Sequence, residues 1–139
     1  LEADLEVTGP LTVVLYAASS ARDTDFTAKL VDVYPDGRAI HLAEGIVRAR
    51  HRQSMERADF LEPGEVAEYQ IQLAPTSNVF RRGHSLRVEI SSSNFPRFDR
   101  NLNTGESIAT STRMQIAHQT VLHTQTYPSH ILLPVIPAS

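Results

Sequence analysis

The apolar stretches of this chain repeat with a period of two. Leu11, Val13 and Leu15 alternate with Thr12, Val14 and Tyr16, and both sets are apolar enough for a strand buried on two sides. Phe26, Ala28 and Leu30 alternate with Thr27, Lys29 and Val31. Ala67, Tyr69, Ile71 and Leu73 alternate with Glu68, Gln70 and Gln72, which predicts a half-buried strand with one wet face. Leu86, Val88 and Ile90 alternate with Arg87, Glu89 and Ser91 in the same way. Successive side chains of a strand point to opposite faces, so this period leaves little room for helix. Only Gln53–Phe60, where Met55, Glu56, Arg57 and Ala58 are fair helix formers, predicts a helical turn or two.

Turn chemistry divides these stretches. Tyr34-Pro35-Asp36-Gly37-Arg38 combines a fixed φ, a side chain that bonds its own backbone and a glycine, and strand residues flank it, so it predicts a hairpin. A second strand pair is expected near Ala39–Leu42 and Gly45–Arg52, and Glu62-Pro63-Gly64-Glu65 marks the next turn. Two last strands are expected near Gln119–Thr124 and His130–Ile136, with Pro134 suggesting an edge. The sum is an all-β chain of eight or nine antiparallel strands with little helix, a β-sandwich or jelly roll.

At 139 residues the chain is one domain by length and large enough for a real core. Hydrophobic residues at 41% and charged residues at 21% argue against disorder. The net charge of -3 offers no footprint for nucleic acid. The densest basic cluster, Arg48, Arg50, His51 and Arg52, falls in a strand-like stretch where alternation splits the charges between two faces. There is no cysteine, which excludes disulfides, thiolate metal sites and a cysteine nucleophile, and favours a reducing compartment such as the cytoplasm. No apolar run approaches the roughly 20 residues that span a bilayer, so no membrane partner is expected. The opening LEADLEVTG, acidic and without an initiator Met, reads as part of something longer.

A search for chemistry finds no catalytic constellation. Gly83-His84-Ser85-Leu86-Arg87 is the nearest approach to the nucleophile elbow G-x-S-x-G, but it lacks the last glycine and leads into a strand. Asp23-Thr24-Asp25 looks like the start of a calcium loop, yet Phe26, Ala28 and Leu30 stand where further oxygen ligands belong, so a capped turn is the simpler reading. The histidines form no metal-ligand spacing; His118 and His123, five apart, face opposite sides of a strand. No cofactor is implied.

Residues 92–111 break the pattern. The stretch is polar, with Pro96 and Gly105, and predicts a long ordered loop, a kind of segment that usually carries function. Within it Asn94, Phe95, Arg97, Phe98, Asp99, Arg100 and Asn101 offer aromatic and Arg anchors of the type found at docking surfaces. A loop packed by Phe95 and Phe98 and tied down by Arg–Asp and Asn–backbone bonds is an equal reading of the same residues.

The run ISSSNFPRFDRNLNTG, with RRGHSLRVE before it, resembles the C-terminal domain of the CocE/NonD hydrolase family, which includes X-Pro dipeptidyl-peptidases, cocaine esterase-like enzymes and α-amino acid ester hydrolases. LEVTGPLTVVLYAASSARDTDFTAKLVDVYPDGRA, EGIVRARHR, LEPGEVAEYQIQLAPTSNVFRRGH and HTQTYPSHILLPVIP follow in family order. The resemblance implies a galactose-binding-like jelly roll without catalytic residues of its own. Its partners would be an α/β-hydrolase domain bearing a Ser-Asp-His triad and a helical cap. Within that arrangement the loops Asp23–Phe26 (with Asp25) and Asn94–Asn103 are the ones expected to face the catalytic domain. Family domains begin with a further strand upstream of Leu5, so an uncovered sheet edge and self-association are expected. The competing reading is a carbohydrate- or small-ligand-binding module, weakened by the absence of Trp.

Overall fold

The computed structural model describes residues 1–137, and the period-two stretches form two antiparallel sheets packed face to face. β1 (Leu5–Ser19) is the centre of the larger sheet. It pairs along its length with β4 (Val66–Phe80), and its other edge takes three short strands end to end: β6 (Gln119–Val121), β7 (His130–Leu132) and β8 (Val135–Ile136). Partners on both edges bury the inner face of β1 at Leu11, Val13 and Leu15, and also Val14. Thr12 and Tyr16 on the outer face stay half-buried, so the strand expected to be buried on two sides is covered by a second layer on one. Pro134 separates β7 from β8. It has no N–H to give the ladder, but its carbonyl accepts from Thr8 N at 3.0 Å.

The smaller sheet centres on β2 (Asp25–Val33), between β3 (Ala39–Arg48) and β5 (Ser85–Ser91). The Tyr34–Arg38 turn closes the β2–β3 hairpin as its sequence predicts: Gly37 N donates to Tyr34 O at 2.9 Å and Tyr34 N to Arg38 O at 2.8 Å. The expected pair near Ala39–Leu42 and Gly45–Arg52 is one strand. A bulge that leaves Leu42 outside the register absorbs the irregularity that suggested a break.

The core lies between the sheets, where Leu11, Val13, Leu15, Tyr69, Ile71 and Leu73 meet Phe26, Ala28 and Leu30. The Phe26 and Tyr69 rings are tilted with centroids 4.8 Å apart. Gly45 sets how closely the layers approach, because a Cβ there would lie 2.0 Å from the carbonyl oxygen of Gln72 on β4.

Two expectations are corrected. β3 ends at Arg48 and Ala49–His51 turn as a single 3-10 unit, so Arg48, Arg50 and Arg52 are not distributed by strand alternation. Residues 53–60 form no helix. Ser54 Oγ accepts from the backbone N–H of Glu56 (3.2 Å) and Arg57 (3.3 Å), and this local bonding competes with a helical turn. Arg52 also grips Asp59, with Nη2 2.6 Å from Oδ2, and pulls the far end of the segment back onto the 3-10 turn.

Candidate functional site

Asp23, Asp25 and Asn101, singled out separately in the sequence, meet at one end of the sandwich. β1 ends at Ser19, and the chain reverses through residues 20–24 into β2, which leaves both carboxylates fully buried. A buried carboxylate is tolerated only when paired and hydrogen-bonded. The hairpin register supplies the first partner by placing Arg48 opposite Asp25. Arg48 Nε donates to Asp25 Oδ1 at 3.0 Å and Nη2 to Oδ2 at 3.2 Å, a two-pronged contact. The bonded Asp25 carboxylate holds the Arg48 guanidinium above the usual arginine range. The 3-10 turn brings Arg50, whose backbone N donates to Asp23 Oδ1 at 3.0 Å and whose Nε lies 3.3 Å from Oδ2.

Asn101 ties the long loop to this pair. Its Nδ2 donates to Asp23 Oδ2 (3.1 Å) and Asp25 Oδ1 (2.8 Å), while its Oδ1 accepts from Asn103 N (2.9 Å). Arg50 Nη1 adds a bond to Gly105 O at 3.1 Å. Gly105 has φ +76° and lies against Phe60 and Arg22, where a Cβ would come within 2.9 Å of the Phe60 ring. A second anchor sits on β3. Glu44 accepts from Asn94 Nδ2 at 2.6 Å and pairs with Arg97 Nε at 2.8 Å. Residues 92–105 are therefore pinned against the smaller sheet, and the stretch that follows is tied back to them, with Gln115 N donating to Leu102 O at 3.0 Å and Asn103 Nδ2 donating to Gln115 O at 2.9 Å; none of residues 92–118 is a strand.

Pinned in this way, the segment turns apolar side chains outward. Phe95 is 71% exposed, Met114 66% and Ile116 79%. Phe95 lines an open concavity of about 700 Å³ together with Asp99, Arg100, Leu102, Ile108 and Ala109. Phe98 instead folds back beside Ile46, Val47 and Met55 and is half-buried. Phe26 belongs to the core and presents no surface. The ten candidates thus divide by role. Asp23, Asp25 and Asn101 are buried anchors, Asn94 and Arg97 grip Glu44, and Phe95, Asp99 and Arg100 stand at the surface. Arg48, Arg50 and Glu44 were not among them. The need of a buried Asp for a cation was the signal that could have found the two arginines.

One buried Asp–His pair needs separate treatment. His84 Nδ1 lies 2.9 Å from Asp32 Oδ1, and the Tyr34 ring packs on the imidazole with centroids 4.1 Å apart. A catalytic dyad needs a nucleophile on the other ring nitrogen and room for substrate. Neither residue lines any of the larger concavities of the described residues, and the next residue, Ser85, is exposed on the strand. The pair braces the turn between β4 and β5 against the end of β2. Among the described residues no three His, Asp or Glu side chains converge as a metal site would require.

Comparisons with known proteins agree on one group. A family model described as the X-Pro dipeptidyl-peptidase C-terminal non-catalytic domain matches residues 1–132. A cocaine esterase of Rhodococcus sp. (strain MB1 Bresler) is 51% identical over 134 residues, covering 95% of this chain and 23% of that protein. An aminopeptidase from the marine sediment archaeon Thaumarchaeota archaeon superposes with a TM-score of 0.94 at 34% identity, covering 99% of this chain and 24% of that one. An α-amino acid ester hydrolase superposes at 0.93 with 32% identity, covering 98% and 24%. The chain spans about a quarter of the length of these relatives.

Proposed function

We propose, from the premise that this chain belongs to the family of X-Pro dipeptidyl-peptidase C-terminal non-catalytic domains, that it works by shape. It is the accessory β-sandwich of a CocE/NonD-type hydrolase. It packs on an α/β-hydrolase catalytic domain and its helical cap and closes one side of the substrate cleft. In this reading a serine nucleophile elsewhere in the parent cleaves an acyl ester, an amide or an X-Pro peptide, and this chain contributes no bond-making group.

The observation that carries the reading is the contrast within residues 92–118: buried charges fix the backbone, while Phe95, Met114 and Ile116 stay exposed. Large apolar side chains on a fixed, non-repetitive segment mark a surface meant to be covered. Arg97, Asp99 and Arg100 form a polar rim that sets register more than strength. Contacts between domains of one chain bury about 600–1,500 Å².

The test belongs in the intact parent enzyme. Phe95→Asp combined with Ile116→Asp should lower the melting temperature of the catalytic domain and reduce turnover. The sandwich itself should keep its fold, because both side chains are exposed within it. Unchanged melting, KM and kcat in the double variant would remove this surface from the interface.

A further inference from the structure

Asp99 lines a second, smaller concavity besides the one that Phe95 lines. It holds about 330 Å³ and lies where β3, the segment after the 3-10 turn and the long loop meet. Its floor is apolar: Ile46 and Val47 of β3, the Phe98 ring, and Met55, which is 82% exposed. An apolar floor left open to water gains stability when something covers it.

The charges around this floor do not balance. Asp25, Asp99 and Arg48 line it, two carboxylates against one guanidinium. Arg48 gives its Nε and Nη2 to Asp25, at 3.0 and 3.2 Å. Asp99 is exposed and makes no ion pair or side-chain hydrogen bond among the described residues. Its arginine neighbours are engaged elsewhere: Arg97 is held by Glu44 at 2.8 Å, and Arg100 rests its Nη2 on Met114 Sδ at 4.0 Å. His51 donates from Nδ1 to Ser54 O at 3.1 Å and adds no permanent charge.

We infer that this concavity is a socket for one lysine or arginine side chain of the domain that covers the loop, and that the ion pair formed with Asp99 sets the register of the two domains. The inference rests on the reading of residues 92–118 as a covered surface and names the chemistry of what meets it. A basic side chain fits both features at once, because its aliphatic stem lies on apolar surface while its head carries the charge. A purely apolar occupant would bury Asp99 without a partner, which is costly. An acidic occupant would bring a third carboxylate to Asp25 and Asp99. Charges at the rim of a contact act on specificity and orientation more than on strength.

The test compares the intact parent enzyme with this chain. In the parent at low salt, Asp99→Lys sets like charges together and should lower the melting temperature by about 2–4 °C. Asp99→Asn should lower it by less. Both losses should shrink at about 1 M salt, where charges are screened beyond roughly 3 Å. Met55→Ser removes floor but no charge, so its loss should be the same at either salt. In this chain alone, Asp99→Asn and Met55→Ser should leave the urea midpoint in place, since both side chains are exposed. A parent destabilised by Phe95→Asp with Ile116→Asp but tolerant of Asp99→Lys keeps the covered surface and overturns the socket. A loss at Asp99→Lys that salt does not change overturns it as well, because contact rather than charge would have been removed. Butylammonium shifting the Ile46 and Phe98 amides of this chain, with a parent indifferent to Asp99→Lys, overturns it in favour of a small-amine site. A parent indifferent to every one of these substitutions overturns the covered surface and the socket together.

Discussion

The interior of the sandwich and residues 92–118 are both held in place, but by opposite means. Between the sheets, Phe26, Tyr69 and the Leu11–Leu15 face sit in backbone ladders, and their side chains are held by burial, which is non-directional and tolerant of small shifts. Residues 92–118 have no ladder and little buried apolar surface, and they hang from directional bonds on Asp23, Asp25 and Glu44. Buried ion pairs are a weak route to stability, since desolvation offsets most of their attraction. They are a good route to position. Stability in this molecule lies in the layers, and placement of the loop lies in the charges.

The comparison breaks most directly at Phe26. Phe26→Ala should cost about 4 kcal/mol, as large-to-small changes in a packed core do. Denaturant melting should show one cooperative transition at a lower midpoint, with strands and loop losing exchange protection together. Asp23→Ala should cost about 3 kcal/mol, because it strips an acceptor from Arg50 and Asn101 while leaving them buried or nearly so. Here the amides of residues 92–118 should lose protection first, with β1, β2 and β4 still closed. If both regions open together in Asp23→Ala as well, the division of labour is wrong.

Tyr69 joins the two regions. Its ring stacks on Phe26, and its hydroxyl is buried without a hydrogen-bond partner among the described residues. Burial pushes its pKa up to about 12 from 10.0, with Asp23 adding to the rise and Arg52 opposing it. The neutral phenol is the form the fold accepts, so its contribution is intact below pH 10 and is lost as pH climbs from about 10 toward 12. The loss should reach about 2–3 kcal/mol, readable as a falling urea midpoint. Tyr69→Phe should flatten that slope. At neutral pH it should also stabilise by about 1 kcal/mol, by removing an unsatisfied hydroxyl. A Tyr69→Phe chain with the same alkaline slope would assign the loss to another group.

What the sequence reveals follows the same division. Burial leaves a periodic trace, so the strands around Leu11–Leu15, Ala67–Leu73 and Leu86–Ile90 and the Tyr34–Arg38 turn are legible directly. The anchor was legible only by counting. Stepping back from the turn brings Asp25 opposite residue 47, and the one-residue bulge at Leu42 moves the partner to Arg48. Nothing local marks that bulge, so the arginines read as scattered charge. Phe95, Phe98 and Phe26 look alike in the sequence, yet one is exposed, one half-buried and one in the core. Only tertiary contacts separate them.

The smallest expected effect tests that separation. In this chain Phe95→Ala should change stability by less than about 0.5 kcal/mol, because a side chain 71% exposed gives up little contact when truncated. Phe98→Ala should cost roughly 1 kcal/mol, because that ring is half-buried beside Ile46 and Met55. Paired urea melts read the difference. A loss at Phe95 equal to that at Phe98 would mean that the outward face of residues 92–118 is stabilised from within the chain. The exposed aromatic would then have a structural task, and the case for a covering domain would rest on Met114 and Ile116 alone.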